Sequence, residues 1–282
     1  MKKVFTACMT LALALGFGLN AEAQIKTPAP SPLSTVKQAF GLSDLTVEYS
    51  RPSAKGRVVF GDVVPFDMLW RTGANSCTKL TFGEDVKIDG KAVAAGTYSL
   101  FSIPGKTEWT IILNKNTKLG GTNGYSEAED VLRFKAKPRM KAEKTETFTI
   151  ELANLKATQA TVELIWENTT VSFDVTTEFD DKVMKSIEQT MAKDARPYHQ
   201  AASYYYDNKK DMKKALEWAT KAFEASPEAY WSAMLKAKIQ LELKDYKGAI
   251  ATAEQVKVLA KDDAAYTKMA DELIATAKKG GK

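Results

Sequence analysis

The sequence predicts an α+β protein of two domains, an antiparallel β-sandwich followed by an all-α domain of helical repeats. Two observations lead to this prediction. Up to about residue 178, short runs rich in Val, Ile, Thr, Tyr, Phe and Trp alternate apolar and polar residues, which is typical of strands. After Phe179 the pattern changes to the longer period of amphipathic helices rich in Ala, Lys and Glu.

Residues 1–23 have the three parts of a bacterial secretory signal peptide. A positively charged start, an apolar run from Val4 to Leu19 and the small-x-small segment 21–23 follow in order. This pattern predicts cleavage after Ala23 and a mature protein that is periplasmic or secreted. A membrane anchor is the alternative, although the apolar run is short for a span. Lipid attachment at Cys8, as in a lipoprotein, is a second alternative. It is disfavoured because no apolar region precedes Cys8.

A proline-rich segment precedes the first domain. Residues 24–36 hold three prolines and little apolar bulk, which predicts an extended tether. The β domain is then expected over residues 37–178 and the helical domain over residues 179–282.

The β domain contains a series of strand-like runs separated by clusters of Gly, Pro and Asn. Asp89-Gly90 lies between two of them and can supply the positive φ angles of a tight hairpin turn. Asn168-Thr169 joins the last two. The runs are 44–50, 78–82, 85–89, 96–103, 108–114, 130–136, 146–152, 160–167 and 171–178. Because no helical pattern interrupts the series, we expect an antiparallel sandwich or barrel.

The helical domain contains an internal repeat. Identical residues recur 34 positions apart: Asp211 and Asp245, Ala215 and Ala249, Ala219 and Ala253. This period and the small alanines resemble tetratricopeptide repeats, in which paired helices pack closely. After a first helix over 180–195, the expected helices are 198–208, one that carries Ala215 and Ala222, 229–243, 246–259 and a capping helix over 262–278.

The small supply of reactive side chains excludes several enzyme classes. His199 is the one histidine, and Cys77 is the one cysteine that remains after the predicted cleavage. Histidine zinc sites, histidine-based triads and Cys–His dyads each need at least two such groups. We therefore expect His199 and Cys77 to be packing residues, and we predict no metal, no cofactor and no catalytic residue. A net charge of +5 spread over both signs gives no reason to expect nucleic acid as a partner.

Cations and an aromatic residue cluster in the segment 51–75. The candidate ligand-binding residues are Arg51, Lys55, Arg57, Trp70, Arg71 and Asn75. Guanidinium groups bind carboxylate or phosphate at two points, and an indole face stacks on rings, so the cluster fits an anion or glycan site. The other interpretation is structural: the arginines fasten loops, Trp70 joins the core, and a buried Arg71 bonds carbonyls or Asp62. Strand alternation would then point Trp70 and Arg71 to opposite faces.

Two long stretches carry a resemblance to a known family. They read YSRPSAKGRVVFGDVVPFDMLWRTGAN, followed by DVKIDGKAVAAGTYSLFSIPGKTEWTIILNKN. With the motifs Ser-Arg-Pro, Lys-Gly-Arg, Trp-Arg-x-Gly-Ala-Asn and Ala-Gly-x-Tyr-Ser-Leu in order, residues 34–178 resemble an uncharacterised bacterial family, domain of unknown function 2911. The resemblance implies a secreted β domain and no particular activity. It adds Tyr98 and Trp109 to the residues of interest.

The sequence favours an exported, non-enzymatic binding protein whose helical repeats contact another envelope protein or a peptide. The candidate protein-contact residues are Gln200, Tyr204, Asn208, Trp231, Met234 and Lys238. Two repeats are few, so this face packing on the sandwich is the other possibility. No transmembrane span is expected in the mature chain.

The alternative function is a carboxylate-dependent hydrolase that acts on glycans of the cell envelope. It requires two facing carboxyl groups about 5–10 Å apart near Trp70. The acids available are Asp62, Asp67, Glu84, Asp85, Glu108 and Asp130. A structural protein of the envelope, with broad exposed apolar patches, is a third possibility.

Overall fold

The computed structural model describes residues 27–192 and 197–281. The predicted signal peptide therefore lies outside the described residues. The chain divides into two compact units between Glu178 and Phe179. Within the described ranges, the first unit contains ten β-strands and the second contains six α-helices, which confirms the α+β arrangement.

The strands form two antiparallel sheets. They are β1 (Leu33–Phe40), β2 (Ser43–Ser50), β3 (Ala74–Phe82), β4 (Val86–Ile88), β5 (Lys91–Val93), β6 (Gly96–Ile103), β7 (Trp109–Asn114), β8 (Asp130–Ala136), β9 (Arg139–Lys156) and β10 (Gln159–Thr176). The first sheet has the order β1-β2-β3-β6-β7-β8 and the second β5-β4-β10-β9. A 3₁₀ turn over Glu127–Glu129 leads into β8.

The sandwich core is made by alternate residues from both sheets. Leu45, Val47 and Tyr49 of β2 are buried, and they share one apolar cluster with Leu164 and Trp166 of β10. A period of two places such residues on one face of a strand. Each fully buried large apolar side chain contributes about 1.5–3 kcal/mol, so this alternation drives the two sheets together.

The Asp89-Gly90 turn has the predicted form. Ile88 of β4 pairs with Lys91 of β5, which leaves two residues in the loop. Asp89 has φ 51° and Gly90 has φ 73°. Two positive φ values match the right-handed twist of a hairpin, as the Asp-Gly pair indicated.

Three features of the β unit differ from the sequence predictions. The tether ends earlier than residue 36, because Leu33 already pairs with Ser50 at the start of β1. The short strand β5 was not predicted. The runs 160–167 and 171–178 lie in one strand, β10, and Glu167 takes φ 49° where the pairing of β10 with β9 is irregular.

The helical unit shows the predicted repeat. Its helices are α1 (Asp180–Met191), α2 (Tyr198–Asp207), α3 (Met212–Ala225), α4 (Tyr230–Glu242), α5 (Tyr246–Leu259) and α6 (Ala264–Gly280). The side chain of Asp211 accepts the amides of Lys213 and Lys214 at the start of α3, and that of Asp245 accepts the amide of Gly248 in α5. Such caps stabilise a helix by about 1 kcal/mol.

The repeated alanines form the seams between helices. Ala215 and Ala219 of α3, like Ala249 and Ala253 of α5, are fully buried. Their lack of bulk lets neighbouring helices approach closely, as in tetratricopeptide repeats. The span 193–195 of the predicted first helix lies outside the described residues. No helix in the described ranges is both long and apolar enough to cross a membrane.

Candidate functional site

A cavity of about 400 Å³ lies beside the segment that the sequence singled out. We call it the Arg71 cavity. Its wall includes Arg57, Trp70 and Arg71, so the structure brings three of the six candidate ligand-binding residues together. Thr122 of the glycine-rich loop 118–125 also lines it. Most of the remaining wall is apolar, with Val63, Val64, Pro65, Met68 and Leu69 among its residues.

Trp70 joins this cavity to the sandwich core. Its ring stacks on that of Trp166 with centroids 6.0 Å apart and 23° between the planes. Its Nε1 donates to the Gly73 carbonyl at 3.0 Å. Edge contacts to Phe60 and Phe148 fix the ring further. Trp70 therefore packs against the core, as the structural interpretation expected, and it also lines the cavity.

Trp70 and Arg71 do not point to opposite sides of a strand. Trp70 forms a bridge with Ser102, in which the Trp70 amide donates at 2.8 Å and the Ser102 amide donates back at 2.9 Å. The backbone then turns, because Thr72 has φ 53° and Gly73 has φ 155°. Strand alternation thus does not extend past Trp70, and both residues line the same cavity.

Arg71 is the main correction to the structural interpretation. The residue is half-buried and its Nε atom is inaccessible to solvent. The guanidinium makes no hydrogen bond or ion pair with any residue in the described part of the chain. The predicted bonds to carbonyls or to Asp62 are therefore wrong. Asp62 lies in an exposed turn, which keeps its carboxylate in water.

Arg51 and Arg57 behave as the loop fasteners that the structural interpretation expected. Nε of Arg51 donates to the Phe148 carbonyl at 3.1 Å, and its Nη2 donates to Thr149 Oγ1 at 2.7 Å. Nε and Nη2 of Arg57 each donate at 2.9 Å, to the carbonyls of Ala54 and Ser53. Arg57 still lines the Arg71 cavity, so its charge adds to the positive potential there.

The other candidates serve the fold around the cavity. Asn75 donates to the Ser31 carbonyl at 3.1 Å and to Ser50 Oγ at 3.2 Å. The Lys55 amide donates to Glu146 Oε1 at 2.6 Å, which fastens its exposed loop. Tyr98 donates to the Ala94 carbonyl at 2.9 Å, and Trp109 is buried in the core.

Cys77 connects the glycine-rich loop to β3. Its Sγ donates to the Gly121 carbonyl at 3.2 Å, and its amide donates to the Leu119 carbonyl at 3.3 Å. Burial raises the pKa of the Cys77 thiol to about 11, and the nearby Arg71 charge offsets only part of this effect. The thiol is therefore neutral at pH 7 and supplies no negative charge to Arg71. The sequence predicted a buried Cys77 correctly but gave no sign of its contact with a loop 44 residues away.

None of the acids considered for a hydrolase lines the Arg71 cavity. Four of them serve the fold: Glu84 accepts the Leu42 amide, Asp85 accepts the Ala95 amide, Glu108 pairs with Lys135, and Asp130 holds Arg133. Asp62 and Asp67 are exposed. The facing carboxyl pair that a glycosidase requires is therefore not formed at this cavity. Across the described ranges, no three or more His, Cys, Asp or Glu side chains are placed to hold a metal ion.

In the helical unit, Gln200 and Trp231 line a groove of about 320 Å³ at the start of α2 and α4. Trp231 is 46% exposed. His199 lies at the same groove, where its Nδ1 is 3.0 Å from Ser232 Oγ, and burial lowers the pKa of its imidazole. His199 is thus a half-buried, hydrogen-bonded residue, in agreement with the packing role that the sequence indicated.

The other protein-contact candidates are separated from this groove. Met234 is 2% exposed and packs among α4, α5 and α6, so its predicted place on a contact surface is wrong. Met234 shares its apolar cluster with Leu273 and Ile274 of the capping helix α6, a packing that the spacing of one repeat does not reveal. The Tyr204 hydroxyl donates to Asp180 Oδ1 at 2.7 Å, and burial and this bond raise the pKa of Tyr204 to about 12. Asn208 donates to the Tyr204 carbonyl, and Lys238 is half-buried.

The fold and the cavity together define a class of protein: a two-sheet antiparallel sandwich with a cation-lined cavity, followed by paired helices. The model of the family described as Protein of unknown function (DUF2911) matches residues 31–175, and the chain belongs to that family. Every residue that lines the Arg71 cavity lies within the matched range, whereas the helical unit lies outside it. The searches of curated proteins and of solved structures found no match to the chain.

Proposed function

We propose that the protein is an exported, non-enzymatic binding protein whose β unit takes a small anionic ligand in the Arg71 cavity. The observation that carries this proposal is the half-buried Arg71 guanidinium, which lines the cavity and has no hydrogen-bond partner among the described residues. Holding a cation partly out of water without a counter-charge is unfavourable, and an anion that pairs with it offsets this cost. A ligand oxyanion is the group that removes this cost.

The size of the cavity supports the proposal. Small-molecule sites in proteins are clefts of about 300–1,000 Å³, largely apolar, with a few polar groups that fix the ligand. The Arg71 cavity has about 400 Å³, and its wall combines a row of apolar side chains with a nearly equal area of polar atoms supplied by few polar side chains and the backbone. Its location over the stacked Trp70 and Trp166 gives it a rigid base.

The charges around the cavity support an anionic ligand. Arg57 and Arg71 both line the wall, and no Asp or Glu appears among the residues that line it. The same observation disfavours a glycan hydrolase at this position, because both catalytic groups of that chemistry are carboxyl groups. Binding without catalysis is therefore the function that this geometry supports best.

The helical unit is proposed to contact another protein or a peptide of the cell envelope. The support is the exposed Trp231 beside Gln200 at the groove between α2 and α4. Tryptophan is enriched among the residues that dominate binding at protein interfaces. Replacing Trp231 by Ala should abolish co-purification of any envelope partner, whereas Lys261→Ala, at an exposed position after α5, should not.

Export is the remaining part of the proposal, and it rests on the pattern of residues 1–23. Expressed from its full sequence in a bacterium, the protein should be recovered from the envelope or medium with Gln24 at its N-terminus. N-terminal sequencing measures this directly. An intact N-terminus, or a lipid on Cys8, would contradict it.

Anion binding is tested by calorimetric titration of the mature chain with acetate, octanoate, inorganic phosphate and citrate. At least one of these anions should bind with a stoichiometry of one. Binding should fall at least tenfold in Arg71→Met, because the charge that pairs with the anion is gone. The control is Arg139→Met, since Arg139 is exposed and lies outside the cavity wall. The proposal fails if no anion binds, or if both variants bind alike.

A further inference from the structure

The Arg71 cavity contains one guanidinium with no partner in the described part of the chain. Arg57 has two nitrogens committed to the carbonyls of Ala54 and Ser53, whereas Arg71 has none committed. The side chains of Ser31 and Thr122 are the other polar groups of the wall. The cavity therefore offers a ligand one uncommitted guanidinium, which can donate two hydrogen bonds side by side, and few additional donors.

The apolar part of the cavity extends towards solvent. Met68 is 61% exposed and Val63 is 36% exposed, and both line the wall beside the buried Val64. Trp70 and Trp166 add two aromatic rings. Exposed apolar side chains next to a binding cleft are typical of a surface that an apolar ligand covers.

We propose that the ligand is a monocarboxylate with an apolar body, with the carboxylate on the Arg71 guanidinium and the body against the wall of Val63, Val64, Met68, Leu69 and Trp70. This inference rests on the proposed function and names the chemical class of its ligand. A carboxylate has two oxygens at the spacing of the guanidinium fork, so the two Nη atoms of Arg71, which are not sealed from solvent as Nε is, bind it together. Its single negative charge neutralises Arg71.

Two other classes of ligand fit this wall less well. A phosphate monoester carries about −1.5 to −2 charges at pH 7 and three strong acceptor oxygens. Arg57 has Nε and Nη2 on backbone carbonyls, so the wall offers this group only Arg71, the remaining Nη1 of Arg57 and two hydroxyl groups. A sugar needs donors and acceptors all around its ring, whereas one side of this cavity is built from Val63, Val64, Pro65, Met68 and Leu69. A carboxylate with an apolar body pairs its charge with Arg71 and places its apolar part against the apolar side chains of the wall.

The test is a calorimetric titration of the mature chain with straight-chain carboxylates from acetate to octanoate, with their primary amides and with inorganic phosphate. The carboxylates should bind, and each added CH₂ should tighten binding about fourfold until the wall is covered. The matching amides should bind at least tenfold more weakly, because they carry no charge for Arg71. Phosphate should not displace octanoate.

Variants of Arg71 show whether the selectivity comes from its fork. Arg71→Met should abolish the difference between octanoate and octanamide, and it should leave the weaker, chain-length-dependent binding of both. Arg71→Lys keeps the charge without the fork and should restore only part of the difference. Circular dichroism confirms that each variant is folded. Arg139→Met, on an exposed strand end, should keep the full selectivity.

The outcomes separate this inference from the proposed function. If phosphate binds and displaces octanoate, the cavity is an anion site, and the carboxylate inference fails alone. If amides bind as tightly as acids, Arg71 plays no part in recognition and the inference fails. If no anion binds at all, both proposals fail.

Discussion

The Tyr49 hydroxyl donates a hydrogen bond to the Ile150 carbonyl at 3.3 Å and accepts one from the Ile150 amide at 2.9 Å. Tyr49 lies in β2 of the first sheet and Ile150 in β9, at the edge of the second. One side chain thus satisfies both backbone groups of a buried residue on the opposite sheet. This contact links β2 of the first sheet directly to the backbone of β9 in the second.

Tyr49→Phe should destabilise the β unit. It leaves the amide and carbonyl of Ile150 buried without a partner, so the free energy of unfolding should fall by about 1–3 kcal/mol. Urea denaturation followed by tryptophan fluorescence measures the change, since Trp70, Trp109 and Trp166 lie in this unit. A change under about 0.5 kcal/mol would mean that water replaces the hydroxyl group at no cost.

Arg51 and Arg71 should respond oppositely to the same substitution. Arg51→Met removes two hydrogen bonds from a charged group and should lower the free energy of unfolding by about 1.5–3 kcal/mol. Arg71→Met removes a half-buried charge that no described residue pairs with, so stability should stay the same or rise. Thermal unfolding without ligand compares the two. Equal losses would show that Arg71 is a structural arginine after all.

Substitutions at two adjacent glycines, Gly120 and Gly121, test whether the loop beside Arg71 positions its guanidinium for the ligand. A Cβ atom added at Gly121 would lie 3.1 Å from Arg71 Nη1, whereas one added at Gly120 meets nothing within 4 Å. Gly121→Ala should therefore displace the guanidinium and weaken octanoate binding by about three- to tenfold. This change corresponds to the loss of up to one hydrogen bond between ligand and protein. Gly120→Ala should bind as the unmodified protein does. Equal affinities in both variants would place the ligand away from Nη1.

The Cys77 thiol should resist alkylation in the folded protein. Burial raises its pKa to about 11, so at pH 8 the thiolate fraction is about 100-fold below that of a thiol at the ordinary value near 9. Mass spectrometry after iodoacetamide treatment should show alkylation at least that much slower in buffer than in urea. The raised pKa of the folded thiol also makes the free energy of unfolding fall between pH 9 and 11. In this range the thiol of the unfolded chain loses its proton while that of the folded protein keeps it. Fast native alkylation would contradict this burial.

We expect the two units to fold independently. Residues 24–178 and 179–282, expressed separately, should each give a cooperative thermal transition, because each unit has its own apolar clusters. The fragment with the sandwich should keep the affinity for octanoate. If neither fragment melts cooperatively, the boundary after Glu178 divides one shared core.

Local patterns in the sequence were sufficient for most of the elements. The runs 96–103 and 130–136 and the helix 246–259 have the bounds found in the structure, because alternation and the Asp245 cap are short-range signals. β1 was missed because Pro28, Pro30 and Pro32 precede it and its alternation is weak; it is defined mainly by its pairing with β2.

The candidate site was only partly predictable, because its chemistry depends on contacts distant in sequence. The segment around Trp70 and Arg71 was identified from composition alone. Whether Arg71 has a partner depends on where the loop held by Cys77 lies and on how far the nearest acid is from the guanidinium. The sequence alone shows neither of these. The lost alternation after Trp70 had a local cause, the positive φ of Thr72, which is unusual for a β-branched residue.

The order of the strands determines when the β unit can close during synthesis. All six strands of the first sheet have been synthesised once residue 136 is made, but the β9–β10 hairpin that covers them ends at Thr176. Until then, the second layer over Leu45, Val47 and Leu80 consists only of the short β4–β5 hairpin, so most of the inner face of the first sheet is uncovered. Nascent chains halted in this interval should aggregate unless a chaperone binds them, because the exposed apolar face and free edges of one sheet associate with those of another chain.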